Sequence, residues 1–163
     1  MKLDEREIEK VLSSLGRLKT AVIDSSSIIY IQKAGFLPNL AAAVELLTIP
    51  QVIRETGLAN LPVRVVEPPG ESREVETDRL LFATATGLDR ALISEDRAIL
   101  LKCRATGVEY YNAYNMLILL RLKDLIGEEQ FSGFEDKLLS VAHYGRFVID
   151  YIWYVKQYLE KLL

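Results

Sequence analysis

The sequence predicts an α/β fold built on a parallel sheet, and three observations carry that prediction. Short continuous apolar runs, Thr20-Ala21-Val22-Ile23 and Ala91-Leu92-Ile93, read as strands covered on both faces, because half-exposed strands would alternate. Helical patterns separate these runs, and strands alternating with helices pair in parallel through right-handed crossovers. The chain has 163 residues, 50% hydrophobic and 26% charged, enough for one domain with a sizeable core.

The elements follow in order. Residues 4–15 put Ile8, Val11, Leu12 and Leu15 on one helical face, with Gly16 after them. Residues 19–24 form the first strand. Ser25-Ser26-Ser27 supplies capping hydroxyls for a helix through about Lys33 that stops near Gly35. Pro38-Asn39 opens a helix over roughly 40–47, and Thr48-Ile49 is a short extended link. Pro50 suits the first turn of a helix over 50–59. Pro62 and Pro68-Pro69 bracket a second strand, Val63–Val66. Ser72 caps a helix over about 73–87, ended by Gly87. A third strand covers 90–93, and Ser94 caps a helix over 95–105 that ends at Gly107. Val108-Glu109-Tyr110 is a short strand, and Asn112 caps a helix over 113–125. Residues 128–163 lack a strand signal and read as two helices, about 130–143 and 146–162, parted by Gly145. The whole is one domain, 1–163, with a core at about 19–125 and a helical extension after it.

Composition narrows the chemistry. Cys103 is the one cysteine, which excludes an intrachain disulfide and a cysteine-built zinc site. His143 is the one histidine, so serine–histidine–acid catalysis would depend on it alone. The net charge of −3 is unlike that of a protein that coats nucleic acid, so contact with RNA or DNA would need a local patch. The start of the chain is polar and carries no signal-peptide apolar segment, and no apolar run reaches ~18 residues. A cytoplasmic protein without a membrane span is the expectation.

Four acids stand where such a fold would aim them at one place: Asp24, Glu55, Asp78 and Asp96. Asp24 ends the first strand and Asp96 follows the third. Ligands of open parallel sheets bind beyond the carboxyl ends of the strands. Asp78 precedes Leu81, Phe82 and Ala85 at i+3, i+4 and i+7, which places it on or beside a buried helical stripe. Each acid also has an ordinary reading: Asp24 as a turn former, Glu55 as a solvated surface residue, Asp96 as a helix-start charge. Asp89 and Glu95 are weaker candidates for the same cluster. Two carboxylates about 5 Å apart repel by roughly 3 kcal/mol at an effective dielectric near 20. Four together call for a cation, and an all-oxygen set suits Mg²⁺ or Mn²⁺ rather than zinc.

These segments resemble a known family. Val22-Ile23-Asp24-Ser25-Ser26 is similar to the opening of PIN-domain nucleases, among them the toxin ribonucleases of toxin–antitoxin pairs. Ile49-Pro50-Gln51-Val52-Ile53-Arg54-Glu55 resembles that family's second acidic motif, Asp78–Ala85 its third, and Ile93-Ser94-Glu95-Asp96-Arg97 its fourth. Order and spacing agree over residues 20–123. The resemblance implies a three-layer α/β/α sandwich, PIN-like, with a central parallel sheet. It implies divalent-metal cleavage of RNA, with Asp24, Glu55, Asp78 and Asp96 as metal ligands and Ser26 as a hydroxyl helper. It also implies an RNA substrate and an antitoxin protein as partners. Residues 124–163 depart from the family pattern.

Rival readings differ in chemistry. A dehalogenase-type phosphatase would need a second Asp two residues after Asp24, where Ser26 stands. A receiver domain would need paired acids near the first strand and a downstream lysine, a set that this chain does not present. A PIN-like module that binds RNA or protein without cutting is the main alternative, and dependence on metal separates the two. The last helix is apolar over more than one stripe, including Phe147, Ile152, Trp153, Val155 and Leu159, so a homodimer through its second face is a further expectation.

Overall fold

The computed structural model describes residues 4–70 and 76–163. Ser72 as a cap, and the beginning of the expected helix at residue 73, lie outside the described residues. Helix α1, Glu5–Arg17, is capped by the Asp4 side chain and buries Ile8, Leu12 and Leu15. Strand β1, Thr20–Ile23, leads into α2, Ser25–Ala34, which ends at Gly35 in the left-handed conformation (φ 96°). Then come α3, Leu37–Ala43, β2, Glu45–Thr48, and α4, Pro50–Thr56. Strand β3, Arg64–Val65, precedes α5, Thr77–Leu88, and β4, Ala91–Ile93. Helix α6, Arg97–Thr106, β5, Tyr110–Tyr111, and α7, Ala113–Leu122, complete the sheet-bearing part. Helices α8, Glu128–Ala142, and α9, Arg146–Leu162, follow.

The five strands pair in parallel in the order β3-β2-β1-β4-β5. Strand β1 is central, and Ala21, Val22 and Ile23 are fully buried. Right-handed crossovers put the β1–β2–β3 connections on one face of the sheet and the β3–β4–β5 connections on the other. The helix contacts follow that division: α5 packs on β1, β4 and α6, while α2, α3, α4, α1 and α7 form a second connected layer. The result is an α/β/α sandwich with a central parallel sheet, as expected.

One expected helix is partly a strand. Residues 40–47 read as helix because Ala41-Ala42-Ala43 and Leu46-Leu47 favour it locally. Tertiary pairing overrides that preference: Glu45, Leu46 and Leu47 lie in register with Thr20, Ala21 and Val22. The Thr48 hydroxyl, fully buried, donates to the Ile23 carbonyl at 2.8 Å and ties the carboxyl ends of β1 and β2 together. A buried hydroxyl without that acceptor would be unfavourable.

The extension is part of the core. Helix α8 packs on α2 and α7, and α9 packs on α7. Leu138, Ile152, Val155 and Leu159 are buried among them. Glu135, on α8, accepts from the Tyr114 hydroxyl of α7 and from Lys156 Nζ of α9 at 2.9 Å, so its buried carboxylate is paired twice. His143 is the left-handed C-cap of α8 (φ 48°), which makes it a turn residue. Helix α9 leaves apolar side chains open on two faces: Phe147 is 66% exposed and Trp153 is 54% exposed.

Candidate functional site

Because the chain leaves β1 toward β2 and later returns to β1's other side as β4, the sheet's switch point lies between β1 and β4. The crevice at the carboxyl ends of those two strands is where such sheets take ligands. Asp24 follows β1 there. Its backbone N–H donates to the Ile93 carbonyl at 3.0 Å, continuing the β1–β4 pairing by one residue.

Asp24 is buried, and its carboxylate is held on both oxygens. Oδ1 accepts the Ser27 N–H at 2.8 Å, which makes Asp24 the N-cap of α2. Oδ2 accepts the Ser94 hydroxyl and the Glu95 N–H, the latter at 3.3 Å. Burial raises its pKa, and the donors from Ser94, Ser27 and Glu95 pull the other way. The capping reading of Asp24 and its placement at the ligand edge therefore hold together.

Asp96 follows β4 and is exposed. It, not Ser94, caps α6: its Oδ1 accepts the Ile99 N–H at 3.1 Å. Ser94, fully buried, points inward instead, donating to Asp24 and accepting the Asp96 N–H at 3.1 Å. The cap expected at Ser94 moves two residues because that hydroxyl serves the buried carboxylate.

Asp78 lies beside the buried stripe rather than on it. It stands in the first turn of α5, which begins at Thr77, and it is exposed. The buried stripe consists of Leu80, Leu81, Thr84 and Ala85, and Asp78 lies just before it. Its pKa is raised, first by partial burial and then by the negative charges of Asp96, Asp24 and Glu55. These four acids thus share one electrostatic neighbourhood, although they come from four elements.

Glu55, on α4, is exposed and accepts the Ser25 hydroxyl at 2.9 Å. Within the serine triplet, the hydroxyls that reach the acids are those of Ser25, to Glu55, and Ser27, to Glu95. Ser26, the expected helper, is half-buried and donates to none of them.

The acid most firmly built in is one ranked low from the sequence. Glu95 Oε1 accepts the Ala113 N–H at 2.6 Å and the Ser27 hydroxyl at 3.2 Å, and its Oε2 accepts the Tyr144 hydroxyl at 3.1 Å. Burial pushes its pKa up to about 7, with the Asp24 charge adding to the rise and the three donors opposing it. The carboxylate in turn raises the Tyr144 phenol, which burial already raises. The signal for Glu95 was its place two residues after a buried strand, one past the position that Asp24 holds after β1. Tyr144, between α8 and α9, gave no local signal; it reaches Glu95 because the extension folds back.

The donor set is all oxygen, and the mutual repulsion felt at Asp78 is what a divalent cation would relieve. Asp24, Glu55, Asp78 and Asp96 fit such an ion by chemistry. Among the described residues no three acidic, histidine or cysteine side chains form a ready-made cage. Among the described residues, too, no helix is long and apolar enough to cross a membrane. Comparison with protein-family models finds no match to this chain, and comparison with curated proteins finds none either.

Proposed function

We propose that this protein is a divalent-metal-dependent endoribonuclease acting at the carboxyl edge of β1 and β4. The observation that carries the reading is the crowding at Asp78, whose carboxyl is raised first by partial burial and then by the charges of Asp96, Asp24 and Glu55. Negative charges crowded around Asp78 at a sheet's switch point repel it, and a cation would convert that repulsion into binding. Bound Mg²⁺ or Mn²⁺ would supply positive charge to the scissile phosphate and acidify an attacking water.

The chain's own groups hold that arrangement. Ser94, Ser27 and the Glu95 N–H fix Asp24; Ser25 orients Glu55; Ala113, Ser27 and Tyr144 orient Glu95. Asp78, Asp96 and Glu55 are the exposed members, open to an RNA strand. Purified full-length protein should cut labelled RNA with Mn²⁺ or Mg²⁺ and stop with EDTA. Asp24→Asn keeps a capping side chain and should abolish cutting; equal cleavage by wild type and variant in EDTA would refute the reading.

A second reading, a PIN-like module that binds RNA or protein without cutting, draws on Asp24. Both of its oxygens are already engaged, as in a purely structural cap. RNA binding that is indifferent to metal, with no cleavage, would favour it. The finer biological role belongs to the first reading: a cytoplasmic toxin of a toxin–antitoxin pair, neutralised by an antitoxin protein. Growth arrest on expression that Asp24→Asn removes would support that role. Phe147 and Trp153, exposed on two faces of α9, are the apolar side chains a second copy would cover.

A further inference from the structure

Helix α9 turns one face away from the body of the protein, and the charges on that face are arranged symmetrically about Trp153. Ile152, Val155 and Leu159 form the buried side of the helix. On the opposite side Trp153 is exposed, with Arg146, Asp150, Gln157 and Glu160 exposed around it. We propose that this face is an isologous dimer seam: a second copy of the chain lays its own α9 antiparallel across it, with Trp153 of both copies at the two-fold axis. The inference gives a geometry to the second copy proposed above. It stands apart from the chemistry of the acid cluster, so a failure of RNA cleavage leaves it in place.

Three observations carry it. The first is spacing. Arg146 lies seven residues before Trp153 and Glu160 seven residues after it. Seven residues are close to two helical turns, so the three share one stripe, with the charges about 10.5 Å to either side of the indole. Asp150 lies three residues before Trp153 and Lys156 three after it. A two-fold axis at Trp153 therefore brings Arg146 of one copy to Glu160 of the other, and Asp150 to Lys156, twice each. Every one of these meetings joins opposite charges. Helices crossing at about 20° stay side by side over such a length.

The second observation is that the outer charges are unspent. Among the described residues Arg146, Asp150 and Glu160 enter no ion pair. Lys156 holds Glu135 at 2.9 Å, so the Arg146–Glu160 pair carries the charge argument. The third is the centre of the face. Trp153 meets the half-buried Tyr154 ring edge-on at 5.2 Å between centroids, which props the indole without covering it. An aromatic anchor ringed by polar and charged side chains is the make-up of an interface core and its rim. Phe147 stands about 120° around the helix from Trp153, on the shoulder of this face.

Other arrangements fit less well. Parallel pairing would set Arg146 on Arg146 and Glu160 on Glu160, and like charges brought together cost several kcal/mol. A partner of different sequence needs no symmetry of charge about one residue, whereas a helix that pairs with itself does.

The test is sedimentation of the full chain at tens of micromolar, in EDTA and without RNA. Wild type should run as a dimer. Arg146→Glu alone and Glu160→Arg alone should each weaken the dimer about tenfold, because each variant sets like charges together at both ends of the seam. Both side chains are exposed, so the circular dichroism spectra and melting temperatures of the monomers should stay those of the wild-type fold. The doubly reversed chain, Arg146→Glu with Glu160→Arg, should regain the dimer. Mixing the two single variants should also regain it, as a heterodimer alone. A monomeric wild type would overturn the proposal and hand the Trp153 face to a different protein. A dimer that neither single reversal weakens would overturn the antiparallel seam while leaving a second copy bound elsewhere.

Discussion

Glu95→Gln should stabilise this protein at alkaline pH, and the structure supplies the size of the effect. Glu95 ionises near its ordinary value of 4.5 in the unfolded chain and at about 7 in the folded one. A carboxyl carried that far is worth about 3 kcal/mol between its two protonation states. The sign follows from proton counting. Between pH 4.5 and 7 the folded protein holds a proton that the unfolded chain has released, so stability falls as pH rises through this window and is flat above it. Glutamine never ionises. It keeps an oxygen for the Ala113 N–H and the Ser27 hydroxyl, and its amide faces Tyr144 Oη, a hydroxyl that can turn from donor to acceptor. Urea unfolding followed by circular dichroism should give wild type and variant similar midpoints at pH 4.5. At pH 8 the variant should gain about 1–2 M in midpoint, for a slope of about 2 kcal/mol/M. Asp24 and Asp78 are raised as well and steepen the loss in both proteins, and the difference between wild type and variant reads Glu95 together with its coupling to Asp24. A variant no more stable than wild type at pH 8, or a gain of equal size at pH 4.5, would refute the placement of Glu95 as a buried, charge-strained acid.

Other outcomes follow from the same contacts. Tyr144→Phe removes a donor to Glu95 and should move its titration upward, read by carboxyl ¹³C shifts; an unchanged midpoint would mean that the α8–α9 junction does not touch the site. Ser94→Ala leaves Asp24 Oδ2 with one donor and should cost about 1–3 kcal/mol in urea unfolding; a change under about 0.5 would contradict the buried contact. Adding Mg²⁺ or Mn²⁺ at pH 8 should stabilise wild type more than Asp78→Asn, because the variant has lost one of the mutually repelling acids; equal shifts in melting temperature would argue against a cation there. Sedimentation at tens of micromolar should give a dimer that Phe147→Glu with Trp153→Glu dissociates; a monomeric wild type would reassign that open face to another partner.

The sequence by itself determined the parallel sheet, because β1 and β4 are continuous apolar runs and no half-exposed strand reads that way. It determined Asp24 as the residue leaving the central strand, and the caps at Gly35 and Asn112, because these are local chemistry. Tertiary structure decided the rest. Glu45–Thr48 became a strand because β1 offered a partner, a gain no local propensity registers. Ser94 gave up its expected capping role because a buried carboxylate lay within reach of its hydroxyl. Asp78 emerged as exposed because α5 begins at Thr77, and a helix start is among the least legible features of a pattern. Glu95 became the most strongly held acid only when Ser27, Ala113 and Tyr144, from three distant segments, closed on it. Hydrogen bonds across 68, 18 and 49 positions of chain carry no periodicity. They exist because the fold brings those donors together, and burial then sets the proton affinity that the sequence leaves open.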